Sequence, residues 1–302
     1  SVDDAMRQWE YNRNPKEYAF GFNKRVLAYF ACDLYNVYMT TQLNGAETVF
    51  LPFNQGSNGA GKDGGAGNPT TEDGKYVTSY FWENVLQKDK LLDILQKFIS
   101  YERSEKKKIM PDGSTKTTVS SKVIFPRYHQ LDVVRKLVSH VRENGAGHNY
   151  LIQHSAGSGK SNSIAWTAYR MASLHDENNN PIFDSVIIVT DRRVLDQQLQ
   201  ATVSGFDHTL GSVVTIDEKK NSGDLRDAIN DGKRIIISTL QKFPVIYDEV
   251  HSSVGKHYAV IVDEAHSSQT GQSALKLKAA LADVSDALQE YAELEEKAVE
   301  EN

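Results

Sequence analysis

His154-Ser155-Ala156-Gly157-Ser158-Gly159-Lys160-Ser161 is the stretch on which the fold turns. It follows a short apolar run, Tyr150-Leu151-Ile152, read as a strand, and it opens a helix predicted over Ser161 to Leu174. In that strand-loop-helix setting Gly157, Ser158 and Gly159 let backbone N–H groups wrap a phosphate. The helix N-terminus adds its dipole, Lys160 reaches the β/γ oxygens, and the Ser161 hydroxyl can ligate Mg²⁺. The pattern departs from G-x-x-x-x-G-K-[ST] at one place, where His154 replaces the first glycine. Gly56-Ser57-Asn58-Gly59-Ala60-Gly61-Lys62 fits the first seven positions better. Yet Asp63 stands where the hydroxyl belongs, and Gly64-Gly65-Ala66-Gly67-Asn68-Pro69 follows in place of a helix, so that stretch reads as a loop.

Downstream, Ser185 to Thr190, Arg234 to Ser238 and Tyr258 to Val262 are buried-type strands, with a helix read over Arg193 to Gln200. Strands alternating with helices imply a parallel sheet covered by helices on both faces, an α/β fold. The last of these strands ends in Asp263-Glu264-Ala265-His266. A carboxylate at the C-terminal end of a parallel strand lies on the rim where ligands bind, so Asp263 can hold Mg²⁺ through water. Glu264 can orient and deprotonate an attacking water. Without Lys160 and Ser161 the same residues would read as an acidic capping turn.

Upstream, Ser1 leads directly into helix-like sequence, Ala5-Met6-Arg7-Gln8-Trp9. Val26 to Phe30, Asn36 to Thr41 and Glu47 to Leu51 are strand-like, with Asn44-Gly45 as a hairpin turn. Tyr76 to Tyr101 has helical apolar spacing, and Arg103 to Lys122 is basic and rich in Ser and Thr around Pro111-Asp112-Gly113. The resulting division is an α+β region over 1–110, a basic connector over 111–122, an ATPase-type α/β domain over 123–275, and an acidic helix over 276–302.

Lys160-Ser161 and Asp263-Glu264-Ala265-His266 resemble motifs I and II of superfamily 2 helicases and translocases of the DEAH-box class. Three further pieces agree in order: Phe125-Pro126-Arg127-Tyr128-His129-Gln130, Val189 to Gln198, and Ile237-Ser238-Thr239-Leu240-Gln241-Lys242-Phe243. The chain also resembles, more closely than that general class, the R subunit of type I restriction enzymes. That likeness rests on Arg127 to Val134, the His154 variant of the phosphate loop, Asp263 to Gly271, Val37 to Thr41 and Phe50 to Asn54.

The resemblance implies a RecA-like domain that takes ATP and Mg²⁺, with Lys160, Asp263 and Glu264 catalytic and Ser161 and Asp263 holding the metal. Nucleotide contacts would come from Arg127, Gln130, Gly157, Ser158, Gly159, Lys160 and Ser161. Arg192, Arg193, Thr239, Gln241 and Lys242 would line the DNA track. It further implies translocation of double-stranded DNA before cleavage, methyltransferase and specificity subunits as partners, and a nuclease domain whose end residues 1–110 resemble. Asp207, Glu218 and Lys220 mimic a nuclease spacing, yet they lie between motor motifs and read as a solvated loop. The nuclease carboxylates are therefore expected upstream of Ser1. An arginine-bearing second motor domain is expected downstream, and this stretch alone is expected to bind ATP and hydrolyse it poorly. A nucleotide-binding or docking module, or a true unwinding helicase, stays open as an alternative.

The chain has 302 residues, 34 Lys and Arg against 40 Asp and Glu, and a net charge of -6. Eight acidic and three basic residues lie from Lys276 to Asn302, so the acidity belongs mostly to that end and does not exclude a nucleic-acid partner. The single Cys32 and the lack of an apolar leader suggest a cytoplasmic setting, and no run is long and apolar enough to span a membrane.

Overall fold

The computed structural model describes residues 1–57, 65–71, 74–109, 114–155, 157–190, 197–205, 212–217, 219–239, 242 and 255–263. The chain divides into two compact units, Ser1–Asp132 and Val133–Asn302.

The first unit begins with α1 (Val2–Tyr11), whose start is written in its first residues. The Ser1 hydroxyl accepts the Asp4 N–H at 3.3 Å, while the Asp4 carboxylate accepts from the Ser1 amino group at 3.0 Å, a reciprocal cap. Trp9 then anchors the helix, donating its indole N–H to the Phe30 carbonyl at 3.0 Å and meeting the Tyr29 ring edge-on at 5.2 Å. Strands β1 (Tyr29–Cys32), β2 (Val37–Thr40) and β3 (Leu51–Pro52) pair antiparallel in that order. Their core is aromatic: Phe53 is fully buried and sits within 5.5 to 6.2 Å of the rings of Phe30, Phe81, Phe125 and Tyr128.

Asn44-Gly45 does turn the chain, with Gly45 at φ +58° and the Thr48 hydroxyl accepting the Asn44 N–H at 2.8 Å. The strand after it is two residues long rather than the expected five, because Val49 and Leu51 face solvent and supply no apolar face. The expected helix over 76–101 is split. A π-helical turn, Phe81–Val85, precedes α2 (Lys88–Lys97), and Gln87 between them is extended, its side chain accepting the Lys90 N–H at 3.1 Å.

The basic stretch read as a connector over 111–122 is extended and paired backbone from Thr115 onward. Residues on either side of Pro111-Asp112-Gly113 form β4 (Ser100–Ile109) and β5 (Thr115–Ile124), an antiparallel ribbon in register from Ser100↔Ile124 to Ile109↔Thr115. Pairing prevails because the Thr and Val residues of 115–123 favour extended backbone, and strand hydrogen bonds do not require a buried face.

Helix α3 (Tyr128–Asn144) contains the division between the units. The second unit then runs α4 (Lys160–Ala172), β6 (Ser185–Thr190), α5 (Gln197–Gly205), β7 (Val213–Thr215), α6 (Ser222–Asn230), β8 (Ile235–Thr239) and β9 (Tyr258–Val262). The sheet is parallel throughout, in the order β7-β8-β6-β9. All six residues of β6 are buried, so the strand is covered on both faces. Ile187 and Val189 meet Leu225, Ala228 and Ile229 of α6, and α4 packs on β6, β8 and β9.

Tyr150-Leu151-Ile152 is not a strand, contrary to expectation; Leu151 is 83% exposed and the segment pairs with no strand among the described residues. The helix expected over 276–302 lies outside the described residues, and among the described residues no helix is long and apolar enough to cross a membrane.

Asp33 carries the turn from β1 to β2 and also holds α1. Its carboxylate accepts the N–H groups of Val2, Tyr35 and Asn36 at 2.8 to 2.9 Å. Partial burial pushes its pKa up, but these backbone donors outweigh that, and the carboxyl titrates below its ordinary value. A depressed folded pKa stabilises fully above the ordinary carboxylate range and is lost as pH falls through the folded value. Asp33→Ala should therefore lower the calorimetric Tm by about 2–4 °C at neutral pH, for a loss of roughly 1 kcal/mol. The gap between variant and parent should close below about pH 4.

Candidate active site

Parallel sheets bind ligands at the C-terminal ends of their strands, where the strand order reverses. From β6 the chain moves outward to β7, returns to β8, and then crosses to the other side of β6 to form β9. The reversal lies between β6 and β9, and the residues ending these strands are Thr190 and Asp263. The Asp263 N–H donates to the Val189 carbonyl at 2.9 Å, extending the ladder by one residue and fixing the aspartate backbone at the rim. Glu264 lies outside the described residues.

The phosphate loop leads into α4 in the same unit. Gly157 and Gly159 have φ of +72° and +81°, left-handed values that glycine adopts without a side-chain penalty. The Ser158 N–H donates to the Ser155 carbonyl at 3.3 Å, closing a tight turn. Gly159 caps the helix without a side chain, and its carbonyl receives the N–H groups of Asn162 and Ser163 at 3.1 and 3.4 Å. Lys160 and Ser161 thus occupy the first turn, where the helix dipole favours an anion. A built Cβ on Gly157 meets nothing within 4 Å, so the requirement at this position is conformational rather than steric.

Two contacts hold this apparatus. The Tyr169 hydroxyl of α4 donates to the Val203 carbonyl of α5 at 2.8 Å. Ahead of the loop, the Tyr150 hydroxyl lies 2.9 Å from His140 Nδ1 on α3, with the His148 ring edge-on to His140 at 5.1 Å. The segment entering the loop is therefore tied to α3, although it joins no strand.

Arg127 and Gln130 lie in the first unit, at the start of α3. Gln130 is buried, and its Oε1 accepts the Arg127 N–H at 2.8 Å while the Arg127 carbonyl accepts the Gln130 and Leu131 N–H groups. This is a helix-start cap, and it fixes the plane of the Gln130 amide.

On the rim, Thr239 stands opposite Thr190 in register, and both are buried. Lys242 directs its ammonium at the carbonyls of Ile216 and Lys220, each at 2.9 Å, and at that of Asp217. It fastens the loop between β7 and α6 to the turn after β8. Arg192, Arg193 and Gln241 lie outside the described residues, as do Asp207 and Glu218. Lys220 donates to the Thr215 carbonyl at 2.6 Å.

Thr190 lies in the Val189 to Gln198 stretch, where the sequence assigns it no individual role. It is 3% exposed and its Oγ1 has no hydrogen-bond partner among the described residues, at the rim beside Asp263. A threonine ending an otherwise apolar strand was the available signal.

A family model described as SWI2/SNF2 ATPase matches residues 129–286, just over half of the chain. The match spans the phosphate loop, the whole parallel sheet and the Asp263 turn, and it marks a RecA-like, helicase-like ATPase of superfamily 2. No curated protein matches the chain.

If φ rather than space decides at position 157, Gly157→Asn should keep more ATP affinity than Gly157→Val, since Asn tolerates the left-handed region. Equal losses in titration calorimetry would contradict this. Lys160→Ala should abolish most ATP binding. For the parent, Mg-ATP at 100 times its Kd should raise stability by about 2.7 kcal/mol, read as an upward shift in Tm.

Proposed function

The chain belongs to the SWI2/SNF2 ATPase family, and we propose that it is the ATP-driven motor portion of a type I restriction R subunit, moving along double-stranded DNA. The observation that carries the ATP half of this reading is the pairing of left-handed Gly157 and Gly159 before Lys160-Ser161 with Asp263 at the rim beside β6. These residues suit a magnesium nucleotide: backbone N–H groups and Lys160 for the phosphates, the Ser161 hydroxyl and the Asp263 carboxylate for the metal. When bound, Mg²⁺ would neutralise charge on the phosphate oxygens. Gln130 would read the adenine edge, its amide held by the Arg127 cap, with Arg127 beside it.

Glu264 would take the proton of the attacking water on its carboxylate, and Lys160 would stabilise charge on the γ-phosphate oxygens. Arg192, Arg193, Thr239, Gln241 and Lys242 are the proposed DNA-track residues, and Lys242 also holds the loop at Ile216 to Lys220. The restriction-specific part of the reading rests on sequence likeness. It covers Val37 to Thr41, Phe50 to Asn54, Arg127 to Val134 and the Ser267-Ser268-Gln269-Thr270-Gly271 tail of the acidic motif. It carries with it the methyltransferase and specificity subunits as partners and a nuclease domain of which residues 1–110 are the end.

Duplex DNA should stimulate ATP turnover by the intact protein, and the moving protein should displace a third strand from a triplex without separating the duplex. Strand separation in place of triplex displacement would identify an unwinding helicase. ATP binding with no response to DNA would identify a docking module. Glu264→Gln should leave ATP affinity within about twofold and cut turnover by roughly 10²–10⁴, the usual worth of a general base.

A further inference from the structure

We propose that the β4–β5 ribbon is a basic arm that grips the phosphate backbone of double-stranded DNA, separate from the track on the ATPase rim. The second strand of the ribbon has no buried face along most of its length. Residues 114–120 of the second strand are all exposed, so inward and outward positions do not alternate as they do in a strand packed on a core. Burial begins only at the base, with Val123, and among the described elements β4 and β5 pack chiefly on each other. Ten paired residues make an arm about 30 Å long at strand rise.

An arm that buries nothing is retained at an entropic cost, and its charge indicates what offsets that cost. Residues 100–124 hold six Lys and Arg against three Asp and Glu, in a chain whose net charge is -6. The pairs are sorted along the arm. At the base, Lys122 meets Glu102 across the strands at 2.8 Å and Arg103 meets Glu105 at 3.3 Å, and each pair cancels itself. Further out, the charged residues at strand positions are all cationic, Lys106, Lys107, Lys108 and Lys116, and Asp112 falls in the sequence between the two strands.

The register places these lysines. Lys108 stands opposite Lys116 and Lys106 opposite Thr118, which puts 106, 108 and 116 on one face, while Lys107, opposite Thr117, lies on the other. Like charges directly opposite in a ribbon destabilise it unless a polyanion answers them. Threonines and serines flank them and can donate to phosphate oxygens as well. A two-stranded ribbon is also an element that the major groove of B-form DNA admits, and cations on both faces then approach the phosphates of both groove walls. The contacts are to backbone, so the arm adds affinity without sequence preference.

Duplex DNA is chosen as the polyanion on the strength of the translocase reading above. The test is fluorescence anisotropy of the full chain with a labelled 30-base-pair duplex across a potassium chloride series. The parent is compared with Lys106→Gln/Lys107→Gln/Lys108→Gln/Lys116→Gln and with the corresponding Lys→Arg variant. Each lost phosphate contact should reduce the slope of log affinity against log salt by about 0.9, so the Gln variant should show a slope shallower by roughly 2–4. Its affinity near physiological salt should fall at least tenfold, with ATP affinity and circular dichroism unchanged, and the Arg variant should bind as the parent does.

An unchanged slope and affinity in the Gln variant would overturn the arm. So would a loss of binding to polyglutamate with DNA binding retained, which would assign the surface to an acidic protein. Stimulation of ATP turnover by duplex separates the two readings. If DNA binding depends on the arm but turnover ignores DNA, the translocase reading fails and the arm stands. If turnover responds and the Gln variant binds as the parent does, only the arm fails.

Discussion

The parallel pairing of β6 between β8 and β9 is the constraint on which the ATPase half depends. Its four central residues, Val186 to Val189, supply hydrophobic side chains to both faces, each fully buried Val or Ile contributing about 1.5–3 kcal/mol. Register then follows without further choice: Val186 to Thr190 align with Ile235 to Thr239, and Ser185 to Val189 with Tyr258 to Val262. That alignment brings Thr190, Thr239 and Asp263 to one rim. A slip of one residue would turn Ile187 and Val189 away from α6 and remove the core that holds the sheet.

The chemistry of the rim is assembled from backbone as much as from side chains. Left-handed glycines at 157 and 159 shape the loop, the start of α4 supplies the dipole, and the Asp263 N–H is held on the Val189 carbonyl. Helix α4 lies on β6, β8 and β9, so the phosphate loop and the acidic turn are carried by elements of one sheet. The supporting polar contacts have the same character. Lys242 spends its ammonium on three carbonyls, ordering a loop of the second unit, and Gln130 spends an amide oxygen on the Arg127 N–H, ordering a helix start in the first. The first unit uses the same device in Asp33, where one carboxylate ties a turn and a helix start together.

Much of this architecture was legible from pattern alone where burial is two-sided. The expected bounds of β6 coincide with the observed strand and those of β8 differ by one residue at each end, because their continuous apolar runs are covered on both faces; β9 also has its expected bounds, although among the described residues it is only partly covered, with Val260 exposed. Legibility failed where burial is absent or short. The ribbon over 100–124 has no hydrophobic alternation to read and passed for a connector, and Tyr150-Leu151-Ile152 looked like a strand yet stays unpaired and exposed. Strand β7, three residues long, and α6 were not anticipated, although Asn221 and Asp224 spell a reciprocal helix cap whose two bonds the structure contains.

Sequence by itself determined the chemistry of this protein: Lys160, Ser161, Asp263 and Glu264 are types and spacings that need no coordinates to suggest a nucleotide, since a phosphate loop is a local pattern. Only the tertiary structure decided the strand order that sets Asp263 at one rim beside the end of β6, and where support comes from. Strand order is a non-local choice: β9, some seventy residues after β6, is hydrogen-bonded directly to it, and β7, the next strand in the chain, is not. The structure likewise decided that a run of lysines is one arm of a ribbon rather than a solvated linker, because cross-strand pairing depends on a partner strand that no local pattern names.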